Sequence, residues 1–286
     1  MRVGLCTTDF PRPLPAAELF ERAASLGFET VQLALGSVQE CGFTPSAHVE
    51  IPESIPDGAI SAIREASRRT GIPIDAMNGT WNMAHPDPAL RADAIRRMEI
   101  FFAAANELDC PIVTLCSGTR SPVHLWHPHE DNATPEAWND MLGSMRAAAR
   151  LAEQYGVTLA IETEAANIID TPKKARRVMD ETGSDALKMI LDCANLFHAG
   201  DAHPGNVRPT IDRAMEFFGK DVVLAHGKDI RESDGIRFCG TGFGIIDFPY
   251  MIESLKKAGF TGDMMLHGAA DEDEIPVCLS NMRAFL

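Results

Sequence analysis

Four apolar runs in the second half of the chain end on a carboxylate or an imidazole. "VTLAIE" ends on Glu162, "LKMILD" on Asp192, "VVLAH" on His226 and "DMMLH" on His267. Left unpaired at the end of buried strands, each group would cost several kcal/mol. A divalent ion held by all four would remove that cost. Solvent-facing polar strand ends are the alternative for any one of them, but four in register favour a metal site. Strand alternation adds neighbours. Glu164 follows Glu162 by two and Lys228 follows His226 by two, so each pair shares a face. A second carboxylate and an ammonium beside a metal can move protons or bind substrate oxygens. A solvated loop position for Glu164 and a salt bridge for Lys228 are the structural alternatives.

These residues need elements to hold them. An amphipathic helix, a glycine and a short apolar strand recur, at Gly27, Gly71, Gly156, Gly183, Gly219 and Gly259. Glycine there suits the left-handed turn that closes a helix. The apolar runs suit strands covered on both faces, as in parallel sheets. Thr134-Pro135 and Thr171-Pro172 read as helix starts. Leu90, Ala94, Met98, Phe102, Ala105 and Leu108 recur at helical spacing. Eight strands are expected, near residues 2–6, 29–34, 73–78, 111–116, 157–162, 187–192, 221–226 and 263–267. Eight such units predict a (β/α)8 TIM barrel, a single domain over 1–286, with its site at the C-terminal strand ends. An open doubly wound sheet is the alternative. The segment 44–58, "TPSAHVEIPESIPDG", reads as a long loop.

A net charge of −15 disfavours nucleic-acid and membrane-surface binding. Seven cysteines with no C-x-x-C pair read as free thiols in a reducing compartment, the cytoplasm. "MRVGLCTTDF" has no long apolar segment, so no signal peptide is expected. No run approaches the roughly 18 apolar residues of a membrane span.

"LAIETEAANIID", "MILDCANLFHAG", "VVLAHGKDI", "GTGFGIIDF" and "GFTGDMMLHG" together resemble the xylose isomerase-like TIM barrels, the sugar phosphate isomerase/epimerase group. The resemblance spans essentially the whole chain. In that family a Glu, an Asp, a His and a Glu on strands five to eight bind one divalent metal. Glu162, Asp192 and His226 match this set. The fourth position is His267, read as a ligand that replaces the family's glutamate. Two carboxylates and two imidazoles favour Mn, Zn, Fe or Co over Mg. The family's histidine three residues beyond the strand-six Asp is also absent, and Asn195 stands there.

The resemblance implies a metal-dependent isomerase or epimerase of a sugar or related polyhydroxy carbonyl compound. The metal acts as a Lewis acid. Glu162 or Glu164 removes the proton next to the carbonyl to give a metal-stabilised enediolate, and Lys228 supplies a proton or charge to oxygen. A metal-bound histidine is a poor base, so the family's two-glutamate epimerisation does not carry over directly. A lyase or dehydratase of a keto-polyol on the same site, and a non-catalytic sugar-binding protein, are alternatives. A DNA-repair endonuclease is disfavoured by the acidic charge. His85, Arg120 and Asn195 are the substrate-binding candidates, with a loop histidine and an Arg–Asp pair as structural alternatives for the first two. "HLWHPHEDN", with His124, His127 and His129, reads as a mobile flap rather than a second metal site, and "GTGFG" as a flexible loop over the site. Trp81 and Trp126 could stack on a sugar face or pack in the core. Asp271–Glu274 reads as a solvated helix N-terminus. A homo-oligomer is an expectation of the family.

Overall fold

The computed structural model describes all residues, 1–286. The first half runs β1 (Val3–Cys6), α1 (Ala16–Leu26), β2 (Thr30–Leu33), α2 (Ala59–Thr70), β3 (Ile74–Asn78), α3 (Pro88–Glu107), β4 (Ile112–Leu115) and α4 (Pro135–Tyr155). The second runs β5 (Thr158–Glu162), α5 (Pro172–Thr182), β6 (Leu187–Leu191), α6 (Pro204–Phe218), β7 (Val222–Ile230), β8 (Phe238–Gly240), α7 (Phe248–Ala258), β9 (Asp263–Leu266) and α8 (Ile275–Phe285). Eight parallel strands close into a ring, because β1 pairs with both β2 and β9, β9 pairs with β7, and β7 pairs with β6. This is the (β/α)8 barrel and not the open sheet.

Local chemistry sets the elements as the sequence implies. Thr134 and Thr171 accept from the amides of Ala137 and Lys174, each with proline at the first helical turn. Five of the six glycines close helices in the left-handed conformation. Gly219 differs, with φ −54° at the start of a short 3-10 turn. A Cβ there would lie 2.7 Å from the Met215 Cε, so close packing, not backbone freedom, calls for glycine.

β8 was not expected. It is three residues long and pairs antiparallel with the outer half of β7, which runs on to Ile230, well past His226. The "GTGFG" segment that follows is not a free loop. Asp229 accepts from the amides of Gly242 and Gly244 through one oxygen and of Ile230 and Ile246 through the other. The histidine-rich segment is anchored at one point. Leu125 is buried, its amide donates to Ala47, and its carbonyl accepts from Asn167.

The main core lies between the barrel and its helices. A second, smaller apolar cluster fills the barrel itself: Cys6, Ala76, Ala160, Ile190, Leu224 and Met265. Met265 takes the space that a side chain on Gly4 would need, since a Cβ there would lie 2.2 Å from its sulfur. Strand alternation returns the chain to the same face two residues on. Those positions are Thr8, Asn78, Glu162, Asp192, His226 and His267. A polar layer therefore caps the apolar plug at the C-terminal end of the barrel.

Candidate metal-binding and active site

Within this layer, Glu162, Asp192 and His226 offer ligand atoms that all lie within 4.8 Å of one another. His226 Nδ1 is 3.3 Å from Glu162 Oε1 and 3.4 Å from Asp192 Oδ2. Its other nitrogen, Nε2, donates to Gln32 Oε1 at 3.0 Å. Gln32 is itself fixed, donating to Asn78 Oδ1 at 2.7 Å. This second contact leaves Nδ1 as the nitrogen that faces the carboxylates. Burial opposes charge on His226, but Glu162 and Asp192 outweigh it and hold the imidazole up to about 9. An imidazolium thus balances the carboxylates when no ion does.

Asp192 is fully buried. One oxygen accepts from the amides of Ala194 and Asn195. The other, Oδ2, has no hydrogen-bond donor and lies 3.2 Å from Lys228 Nζ. Burial alone would raise the Asp192 carboxyl; Lys228 and His226 overcome this and hold it well below the usual carboxylate range. A buried oxygen held only by ion pairs, beside a second carboxylate and a correctly turned imidazole, is a donor set that fits a divalent cation.

Lys228 is buried, and its ammonium also sits 4.4 Å over the Phe238 ring. Burial works against its charge, while Asp192, Glu162 and Glu164 raise its pKa. Glu164 sits in a tight turn, its amide donating to Ile169 and its carbonyl accepting from Asn167. Burial pushes its carboxyl up to about 7 against the pull of Lys228. Asn195 donates to Glu162 Oε1 at 2.6 Å and so orients that carboxylate. Its own Oδ1 is buried without a partner.

His267 stands beside the three-residue cluster rather than in it. Its ring centre is 5.3 Å from that of His226. Its Nδ1 lies 3.3 Å from Asp9 Oδ1, and Asp9 also accepts from the amides of Gly268 and Ala269. The imidazole is turned by Asp9 with Nε2 left free.

A cavity of about 260 Å³ opens over the cluster, lined by Glu162, His226 and His267 together with Gln32, Asn78 and Trp126. An adjoining cavity of about 240 Å³ shares Thr8, Glu50 and Asn78 with it. A larger space of about 510 Å³ lies against α5 and α6 and contains none of the cluster.

None of the three expected substrate contacts lines this cavity: Asn195 is buried beneath it against Glu162, and two lie away from the cluster. Arg120 is bound by Asp140 at 2.8 Å and by the carbonyl of Ala84, and the same aspartate holds Arg91. Its guanidinium closes the loop and does not line the cavity. His85 accepts from the amide of Asp87 and packs edge-on against His48 at 4.5 Å, also outside the cavity. Trp81 is buried in the core, whereas Trp126 does reach the cavity. Thr8, Gln32, Glu50, Asn78 and Thr114, none of them among the residues expected at the site, line it as well. For most of them the signal was present: a polar residue on the barrel-facing side of a strand's C-terminal end. Glu50 gave no such sign, since it lies in a long loop.

The chain belongs to the xylose isomerase-like TIM barrel family, whose model matches residues 20–276. An inosose dehydratase from Geobacillus thermodenitrificans is 24% identical over 48% of this chain and 49% of its own. An L-ribulose-5-phosphate 3-epimerase from Escherichia coli is 20% identical over 93% of this chain and 88% of its own. Among solved structures, the IOLI protein with a bound zinc atom superposes with a TM-score of 0.73 at 14% identity, over 100% of this chain and 96% of that one. A xylose isomerase-like TIM barrel protein from Mycobacterium smegmatis in complex with magnesium gives 0.72 at 15% identity, over 100% and 94%.

Proposed function

We propose that the chain is a metal-dependent isomerase or epimerase of a sugar or related polyhydroxy carbonyl compound. The convergence of Glu162, Asp192 and His226 beneath a polar cavity carries this reading. Similarity to an epimerase along almost the whole chain supports it. A bound divalent ion supplies Lewis acidity to adjacent substrate oxygens. The chain's own groups do the rest. Glu164, or Glu162 when not engaged with the ion, takes the proton from the carbon next to the carbonyl. Lys228, held charged by its carboxylate neighbours, donates to the substrate oxygen that gains charge. Asn195 keeps Glu162 oriented. His267, beside the cluster, would be the fourth residue of the set that holds the ion. With two imidazoles that set suits Zn, Mn, Fe or Co better than Mg.

The test joins metal content to proton exchange. One equivalent of ion in the protein, and metal-dependent deuterium uptake next to the carbonyl of a ketose in D2O, are expected. Glu162→Gln and Glu164→Gln should each lower exchange by about 100-fold or more. Protein that takes up no divalent ion after incubation with each in turn would overturn the reading. The similarity to inosose dehydratase favours a second reading, loss of water from a keto-polyol after the same proton removal. Formation of an enone absorbing in the ultraviolet distinguishes it.

A further inference from the structure

The mouth of the barrel holds a carboxylate that neither the cluster nor its supports use. Glu50 lies in the long connection between β2 and α2. Its amide donates to Thr80 at 2.9 Å, and Val49 bridges Trp81, so its main chain is fixed against the segment after β3. Its side chain lines both the cavity over the cluster and the adjoining one. No lysine or arginine lines the cavity over the cluster. Arg12 lines only the adjoining one and is exposed there. The two cations expected to meet substrate are engaged: Lys228 with Asp192 and Arg120 with Asp140.

The chemistry of such a wall is selective. A half-buried carboxyl without a counter-ion makes strong hydrogen bonds to hydroxyls. Lining the same cavity are the neutral Asn78, Thr80 and Trp126, the acid Glu162, and the imidazoles of His226 and His267. A phosphate placed at the Glu50 end would meet a carboxylate with no lysine or arginine beside it, since the cationic groups of the site lie at the cluster. We infer that Glu50 reads a hydroxyl of the substrate away from the metal cluster, and that the site prefers neutral polyhydroxy carbonyl compounds to their phosphate esters. This inference rests on the function proposed above and narrows its substrate class.

The test is calorimetric titration of metal-loaded protein at pH 8.5, where Glu50 is ionised, with D-fructose and with D-fructose 6-phosphate, for the parent, Glu50→Gln and Glu50→Asp. The parent should bind the neutral sugar at least about tenfold more tightly, a difference of about 1.4 kcal/mol. Glu50→Gln should bring the ratio near unity, with Glu50→Asp in between. Metal content identical to the parent's shows that a variant is folded. A parent that prefers the ester, a ratio that Glu50→Gln leaves unchanged, or no binding of either probe would each overturn the inference. The parent ratio decides alone if Glu50→Gln does not fold. Deuterium exchange separates the two readings. Exchange with an unchanged ratio sinks only the role of Glu50; Glu50-dependent selectivity without exchange sinks only the catalytic reading.

Discussion

Gln32 decides which nitrogen of His226 meets the carboxylates. Its acceptor oxygen holds Nε2, and Asn78 holds its amide in turn. Gln32→Leu removes that acceptor while keeping bulk, so metal affinity should fall by about 10- to 100-fold in chelator competition. The same imidazole couples binding to pH. Metal-free protein keeps His226 protonated up to about 9, and the ion must displace that proton. Affinity should therefore rise about tenfold per pH unit between 7 and 9, with one proton released into weak buffer in calorimetry. Glu50 gives a separate signature in stability. Burial pushes its carboxyl from 4.5 to about 7, against a lowering contact from Trp126. The folded protein then holds a proton that the unfolded chain has released. Its contribution is full below pH 4.5 and is lost as pH rises towards 7, by about 3 kcal/mol at most. Urea titrations across that window should show the decline, and Glu50→Gln should flatten it.

At the scale of elements, β7 does two tasks. Its inner half delivers His226 to the cluster, and its outer half builds a ladder with β8 above the barrel. Asp229 ties the two to the following turn through four backbone amides. Asp229→Ala orphans those donors, and loss of about 3 kcal/mol in denaturant unfolding is expected. Amide exchange at Gly242, Gly244 and Ile246 should accelerate in the same variant. This device was only partly legible in the sequence. The eight barrel strands were readable because parallel strands covered on both faces are short apolar runs behind helix-closing glycines. Glu162, Asp192 and His226 were readable because each ends such a run. β8 was not, since three residues that pair only through an extended neighbour leave no periodicity. Arg120 left two readings open for a related reason: a loop arginine looks the same in sequence whether a substrate or Asp140 will hold it. Glu50 was missed because nothing local marks a loop that folds back over the barrel mouth.

At the scale of the molecule, barrel closure converts a repeating pattern into one address. Six of the eight barrel strands supply an apolar plug residue, and on each of them the next position on that face is polar or ionisable. The net charge of −15 acts over the same scale, discouraging the approach of anions at low salt. That field works in the same direction as Glu50.

All seven thiols lie inside this body. Burial pushes Cys110 and Cys278 up to about 12, and Cys41 and Cys239 up to about 11; Cys6, Cys116 and Cys193 lie well above the ordinary value. Thiolate is the reactive form. The folded chain should therefore resist a colourimetric thiol reagent, and react at seven sites per chain once opened in denaturant. The cysteines, chemically silent in the folded barrel, so provide a built-in clock: their labelling rate under native conditions times how often the barrel opens.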